Sequence, residues 1–114
     1  MEGMDWRKPF NKSLVEAVLA LRNRDEAERF LRDLLTEDEI AEFGKRLETA
    51  RLLNADVPYS QIQKLTGLSA PTVARVSKWL QGDLGGYRLI IDRLHHHASH
   101  ARGRGLELKK LLGG

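Results

Sequence analysis

The stretch Tyr59–Leu80, YSQIQKLTGLSAPTVARVSKWL, constrains this chain more than any other. Its spacing predicts two short helices across a tight turn: one over Ser60–Thr66, a reversal at Gly67 and Leu68, and a second helix from Ala70. Ile62, Leu68, Val73 and Val76 fall where two such helices must face inward to pack. Gly67 occupies the reversal, which calls for a residue that reaches positive φ at little cost. Ser69 suits the N-cap of the second helix, and Pro71 is tolerated in a first turn. The positions left outside, Gln61, Lys64, Ala70, Thr72, Arg75 and Lys78, are small, polar or cationic. That is the surface a helix needs to enter a major groove. An ordinary helical hairpin is the alternative, so the flanking chain has to discriminate.

The charge does so in part. The net charge of +3 is unevenly placed. Residues 1–59 hold ten Lys/Arg against thirteen Asp/Glu, whereas residues 60–114 hold nine against three. The basic half begins at the predicted helix-turn-helix, as expected of a segment facing phosphates. A solvated basic face with a basic tail would give the same balance. The chain has no cysteine, which excludes disulfides, thiolate metal sites and cysteine nucleophiles. No apolar run reaches the length of a membrane span and no signal-peptide core opens the chain, so a soluble, cytoplasmic protein is expected. At 114 residues, a single small domain is expected.

Residues 1–10 lack periodicity and are expected to form a flexible arm, with Phe10 touching the body. A helix from Asn11 or Ser13 carries Leu14, Val15, Val18 and Leu21 on one side. After Asn23-Arg24-Asp25, a second places Ala27, Phe30, Leu31, Leu34 and Leu35 together. Thr36-Glu37-Asp38-Glu39 is a capping box that opens the longest helix, to about Asn54. Ile40, Phe43, Leu47, Ala50 and Leu53 are expected on its buried side, with Gly44 permitting close approach of another helix. A last helix follows Gly85-Gly86, with Tyr87, Ile90, Ile91 and Leu94 in register. The stripe then fails, and residues 95–114 are expected to be a mobile, basic, His-containing tail. The body, residues 11–94, is therefore all-α with six helices.

Helices this short bury one face each and are not stable alone, and the core of one chain is marginal. A single helix-turn-helix also meets few phosphates and bases. Both arguments favour a two-fold homodimer on double-stranded DNA, with the leucine- and valine-rich N-terminal helices as its interface.

The ordered set LLTEDEI, FGKRLETARLL, YSQIQKLTGLSAPTVARV and GGYRLIIDRL resembles the trp repressor superfamily, and within it the YerC/YecD-type branch. The resemblance covers roughly residues 11–94. It implies a six-helix trp-repressor-like fold, an intertwined homodimer, and a repressor that binds a palindromic operator. It also implies a candidate effector pocket. The family's pocket threonine and two arginines correspond to Thr36, Arg46 and Arg75. Two departures follow: Val76 stands where the tryptophan-sensing repressor has glycine, and Trp79 where it has serine. Both are larger, so Val76 or Trp79 is expected to fill the cavity, and DNA is read without tryptophan. Alternatively, Trp79 is a core or interface aromatic unrelated to any ligand.

The residues expected at DNA are Gln61, Gln63, Lys64, Ser69, Ala70, Pro71, Thr72, Ala74, Arg75 and Lys78. Thr72 would donate to base or phosphate, the alanines would meet thymine methyls, and Lys64 and Lys78 would clamp phosphates. Arg75 either reaches DNA or pairs with an acid of the long helix. His96 and His100 are four apart, but the tail-like context and the lack of supporting ligands argue against a metal site. No cofactor is expected. Neither a phosphate loop nor a nucleophile–base pair appears, so no enzymatic activity is expected. Two rival functions remain open: a repressor dependent on tryptophan or another small effector, and a protein-interaction module that binds no DNA.

Overall fold

The computed structural model describes residues 3–96 throughout and the backbone of 97–100. The chain divides at Ala41/Glu42 into two compact units. Among the described residues there are six helices and no strand: α1 (Pro9–Ala20), α2 (Arg24–Leu34), α3 (Glu37–Asn54), α4 (Tyr59–Thr66), α5 (Ala70–Gln81) and α6 (Gly86–His100). Among those residues, no helix is long and apolar enough to cross a membrane.

The first unit is a set of locally specified helices. α1 starts at Pro9, earlier than its apolar stripe begins, because proline's fixed φ and missing N–H suit a first turn. The preceding residues are tied to it, with the Asn11 amide donating to the Asp5 carbonyl at 2.9 Å. Phe10 is nevertheless 90% exposed, contrary to the contact expected of it. Asn23 caps α2 by accepting from the Glu26 N–H at 3.0 Å. The capping box of α3 closes in both directions: Glu39 N–H donates to Thr36 Oγ1 at 3.1 Å, and Thr36 N–H donates to a Glu39 carboxylate oxygen at 2.9 Å. Neither α1 nor α2 contains a buried residue; Ala17, Ala27 and Phe30 are half-buried and the larger part of each apolar face is exposed.

The second unit holds the core, in two clusters. Ala50, Val76, Leu80 and Ile91 join α3, α5 and α6. Leu52, Ile62, Leu68 and Val73 join α3, α4, the turn and α5. Leu53 and one further neighbour of each cluster lie against them, Tyr87 on the first and Val57 on the second. This corrects the single buried stripe expected on α3. Thr49, Ala50 and Leu52 are its buried residues, while Phe43 is 45% exposed. One cluster meets α3 at Ala50 and the other at Leu52, which stand about 160° apart around the helix with buried Thr49 between them, so the covered arc is broad. Among the described residues, no atom counted lies within 4 Å of where a Cβ at Gly44 would stand, so the close approach expected there is not seen.

α3 ends in a Schellman motif. Asp56 N–H donates to the Leu53 carbonyl and Val57 N–H to the Leu52 carbonyl, both at 3.0 Å. Asp56 takes the left-handed position at φ 62°, and Pro58 prevents the helix from resuming. Aspartate is a poor occupant of that position. Asp56→Gly is therefore expected to raise the unfolding free energy by about 1 kcal/mol, read as a higher urea midpoint at unchanged slope. A lower midpoint would mean that the carboxylate makes a stabilising contact.

α6 runs through His95 and His96 to His100, past the end of its apolar stripe at Leu94. The stripe reports which face is buried, not where the helix stops, and His, Ala and Ser continue a helix at small cost. The remainder of the expected tail, residues 101–114, lies outside the described residues.

Candidate nucleic-acid interface

The helix-turn-helix is built by contacts within a few residues. Gly67 ends α4 in the left-handed conformation, φ 76°, with its N–H on the Gln63 carbonyl at 2.8 Å. A lock that sequence reasoning missed lies one residue earlier. Buried Thr66 donates from Oγ1 to the Ile62 carbonyl at 2.8 Å and accepts from the Leu68 N–H at 3.2 Å. One hydroxyl thus holds both the end of α4 and the turn. A threonine before a helix-ending glycine is the local signal that could have found it. Ser69 caps α5, accepting from the Thr72 N–H at 3.4 Å.

All four residues expected to face inward are buried: Ile62, Leu68, Val73 and Val76. On the outside, Gln61, Lys64, Ser69, Ala70, Pro71, Ala74, Arg75 and Lys78 are exposed, while Gln63 and Thr72 are half-buried. The Thr72 hydroxyl lies 3.0 Å from Ser69 Oγ, and either can donate. The pair therefore has one hydroxyl proton to offer outward, so Ser69 and Thr72 act as a single donor. Among the described residues no carboxylate pairs with Lys64, Arg75 or Lys78. Of the two alternatives for Arg75, the internal ion pair is absent. The outer face of α4 and α5 therefore presents small side chains, amides and three uncompensated cations over a closed apolar inner face.

The candidate effector residues are placed differently. The Thr36 hydroxyl and N–H are both committed to the capping box. Arg46 pairs with Glu42 at 3.2 Å and lies over the Phe43 ring, 5.5 Å from its centroid. Burial pushes the nearby Tyr87 phenol above its ordinary pKa, and the Arg46 cation offsets this in part. Val76 belongs to the core of its own chain, and Trp79 remains 48% exposed. The indole is therefore only half covered by the described residues. Among the described residues of this unit, one open hollow lies beside Asn54, Arg88, Asp92 and His95, and another beside Val57, Tyr59, Ser77 and Gln81. Neither is lined by Arg46, Arg75, Val76 or Trp79.

Such an arrangement defines an all-α protein of the helix-turn-helix class. The chain belongs to the family described as Trp repressor protein, whose pattern matches residues 11–95. It is 36% identical over 81 residues to YerC of Bacillus subtilis (strain 168), itself uncharacterized, covering 71% of this chain and 78% of that one. Two solved structures share the fold. A TrpR-like protein from Eubacterium eligens ATCC 27750 is 33% identical, with a TM-score of 0.73 over 79% of this chain and 93% of that one. A candidate Trp repressor from Staphylococcus aureus is 32% identical, with a TM-score of 0.74 over 82% and 96%. The family is one of regulators rather than enzymes.

Proposed function

We propose that this chain is a sequence-specific DNA-binding transcriptional regulator, a repressor in kind, that reads a palindromic operator as a homodimer without tryptophan as co-repressor. The observation that carries the reading is the outer face of α4 and α5, where Lys64, Arg75 and Lys78 stand exposed with no carboxylate paired to them among the described residues. Ala70, Pro71 and Ala74 allow the start of α5 to approach base edges, and the shared Ser69–Thr72 proton is available to a phosphate or base. Lys64 and Lys78 supply affinity rather than sequence information.

Dimerisation is supported by the first unit. Leu14, Val15, Val18, Leu31 and Leu34 all stay exposed on helices that bury nothing of their own. An apolar surface of that kind fits a second copy of the chain. Independence from tryptophan is supported by Val76, whose side chain is packed among Ala50, Leu80 and Ile91 where the family's glycine would leave space.

The test is selection of binding sites from random duplex DNA at moderate salt, with and without tryptophan. A palindromic consensus recovered without tryptophan is expected. Recovery only with tryptophan would sink the ligand-independent reading in favour of a co-repressor, and no enrichment in either condition would favour a protein-interaction module. On the recovered site, Lys64→Ala and Lys78→Ala should each weaken binding to all sequences alike. Each should also flatten the dependence of log affinity on log salt by about one unit. A changed sequence preference would instead assign these lysines to base reading.

A further inference from the structure

The last carbonyls of α5 have no partner within their own helix. The Trp79 carbonyl is answered by the Gly82 N–H at 3.2 Å. The Leu80 carbonyl is answered from α6, where Arg88 donates to it from Nη1. Between them stands Gly85, at φ 71°, where a Cβ would come 3.1 Å from Arg88 Nη2. The guanidinium thus passes over a glycine that leaves it room. Three residues beyond Arg88 on the same helix, Ile91 packs in one cluster with the Leu80 side chain. α6 therefore holds Leu80 at both its carbonyl and its side chain. The guanidinium also faces the negative end of the α5 dipole.

We propose that Arg88 is a positioning residue for the recognition helix: it fastens the C-terminal end of α5 to α6 and so sets the angle at which the first turn of α5 is offered to DNA. The inference rests on the DNA-reading function above. Its force comes from leverage. α5 has 12 residues, so its reading end lies about 18 Å from the clamp. A tilt of about 5° there displaces the first turn by about 1.5 Å, enough to break a hydrogen bond to a base. Arg88 consequently governs discrimination between sequences, not the electrostatic attraction common to all of them.

The experiment uses Arg88→Met, which keeps the apolar stem and removes the donors, with Arg88→Lys and Gly85→Ala in parallel. Affinity of the full chain is measured across a salt series for the selected operator and for a random-sequence duplex. Thermal unfolding and amide exchange along α5 are recorded on the same samples. Arg88→Met is expected to lower operator affinity about tenfold or more while leaving random-duplex affinity and the salt slope unchanged. Arg88→Lys should recover part of the loss, and Gly85→Ala, which crowds the guanidinium but keeps its charge, should reproduce part of it. Equal losses on both duplexes with a salt slope reduced by about one unit would make Arg88 a phosphate contact and overturn the proposal. An unchanged operator-to-random ratio in a folded, less stable variant would reduce Arg88 to a stabilising residue and also overturn it. If the unsubstituted chain binds neither duplex, the DNA-reading function fails first, and with it any role for Arg88 in setting sequence preference. Amide exchange then judges the clamp alone: faster exchange at the end of α5 in Arg88→Met upholds the fastening, and unchanged exchange removes it.

Discussion

Ile62→Ala should lower the unfolding free energy by about 2–5 kcal/mol, a large share of the roughly 5–15 kcal/mol typical of a domain. Ile62 is fully buried, and it is where α3, α4, the turn and α5 meet, against Leu52, Leu68 and Val73. Truncation removes its transfer free energy and leaves a cavity that four short elements cannot close without shifting the turn. Only eight apolar side chains are buried among the described residues, so little of the core remains to compensate. The control lies three residues on. Leu65, on the same helix and 52% exposed, should cost no more than about 1 kcal/mol when changed to alanine. Urea unfolding followed by circular dichroism measures both. Equal midpoints for the two variants would show that α4 is not seated on α3 and α5 as described.

Val18→Glu together with Leu19→Glu should halve the particle mass, to the 12.9 kDa of one chain, and should abolish tight operator binding with it. α1 buries none of its residues within its own chain, and both of these side chains are more than half exposed there. If a second copy covers this face, each glutamate must be buried without a partner or the interface must open. An unpaired buried charge costs several kcal/mol, and about 3–5 kcal/mol corresponds to a loss of association of roughly two to four orders of magnitude. The helix itself is expected to survive, because glutamate is a good helix former and the face is solvated in the separated chain. Sedimentation velocity at micromolar concentration gives the mass directly. A double variant with the mass of the unsubstituted chain, or an unsubstituted chain already at 12.9 kDa, would remove α1 as the interface.

What could be read from the residues alone was whatever depends on neighbours a few positions away. The capping box at Thr36 and Glu39, the serine cap at Ser69, the left-handed glycine at Gly67 and the inward set Ile62, Leu68, Val73 and Val76 are of this kind. Each follows from the chemistry of one short segment, because a cap or tight turn is satisfied by atoms within about one helical turn. The outward placement of Gln61, Lys64, Ala70, Arg75 and Lys78 follows likewise, by subtraction from the inward set.

Other features needed the packed chain. Periodicity assigns one apolar stripe to a helix, but α3 is covered over a broad arc, so Thr49 and Leu52 are buried while Phe43 is exposed. The position of Asp56 in a left-handed cap, the reach of Arg88 back to Leu80, and the continuation of α6 beyond Leu94 left no mark in the apolar pattern. Trp79 shows the same limit: substitution alone does not separate Val76 from Trp79 as the residue that fills space, whereas in the packed chain Val76 is buried and Trp79 stands half in solvent. The physical reason is common to all of these. A side chain's burial is set by which elements approach its face, and that depends on contacts between segments far apart in the chain, whereas caps and turns close on atoms their own segment supplies.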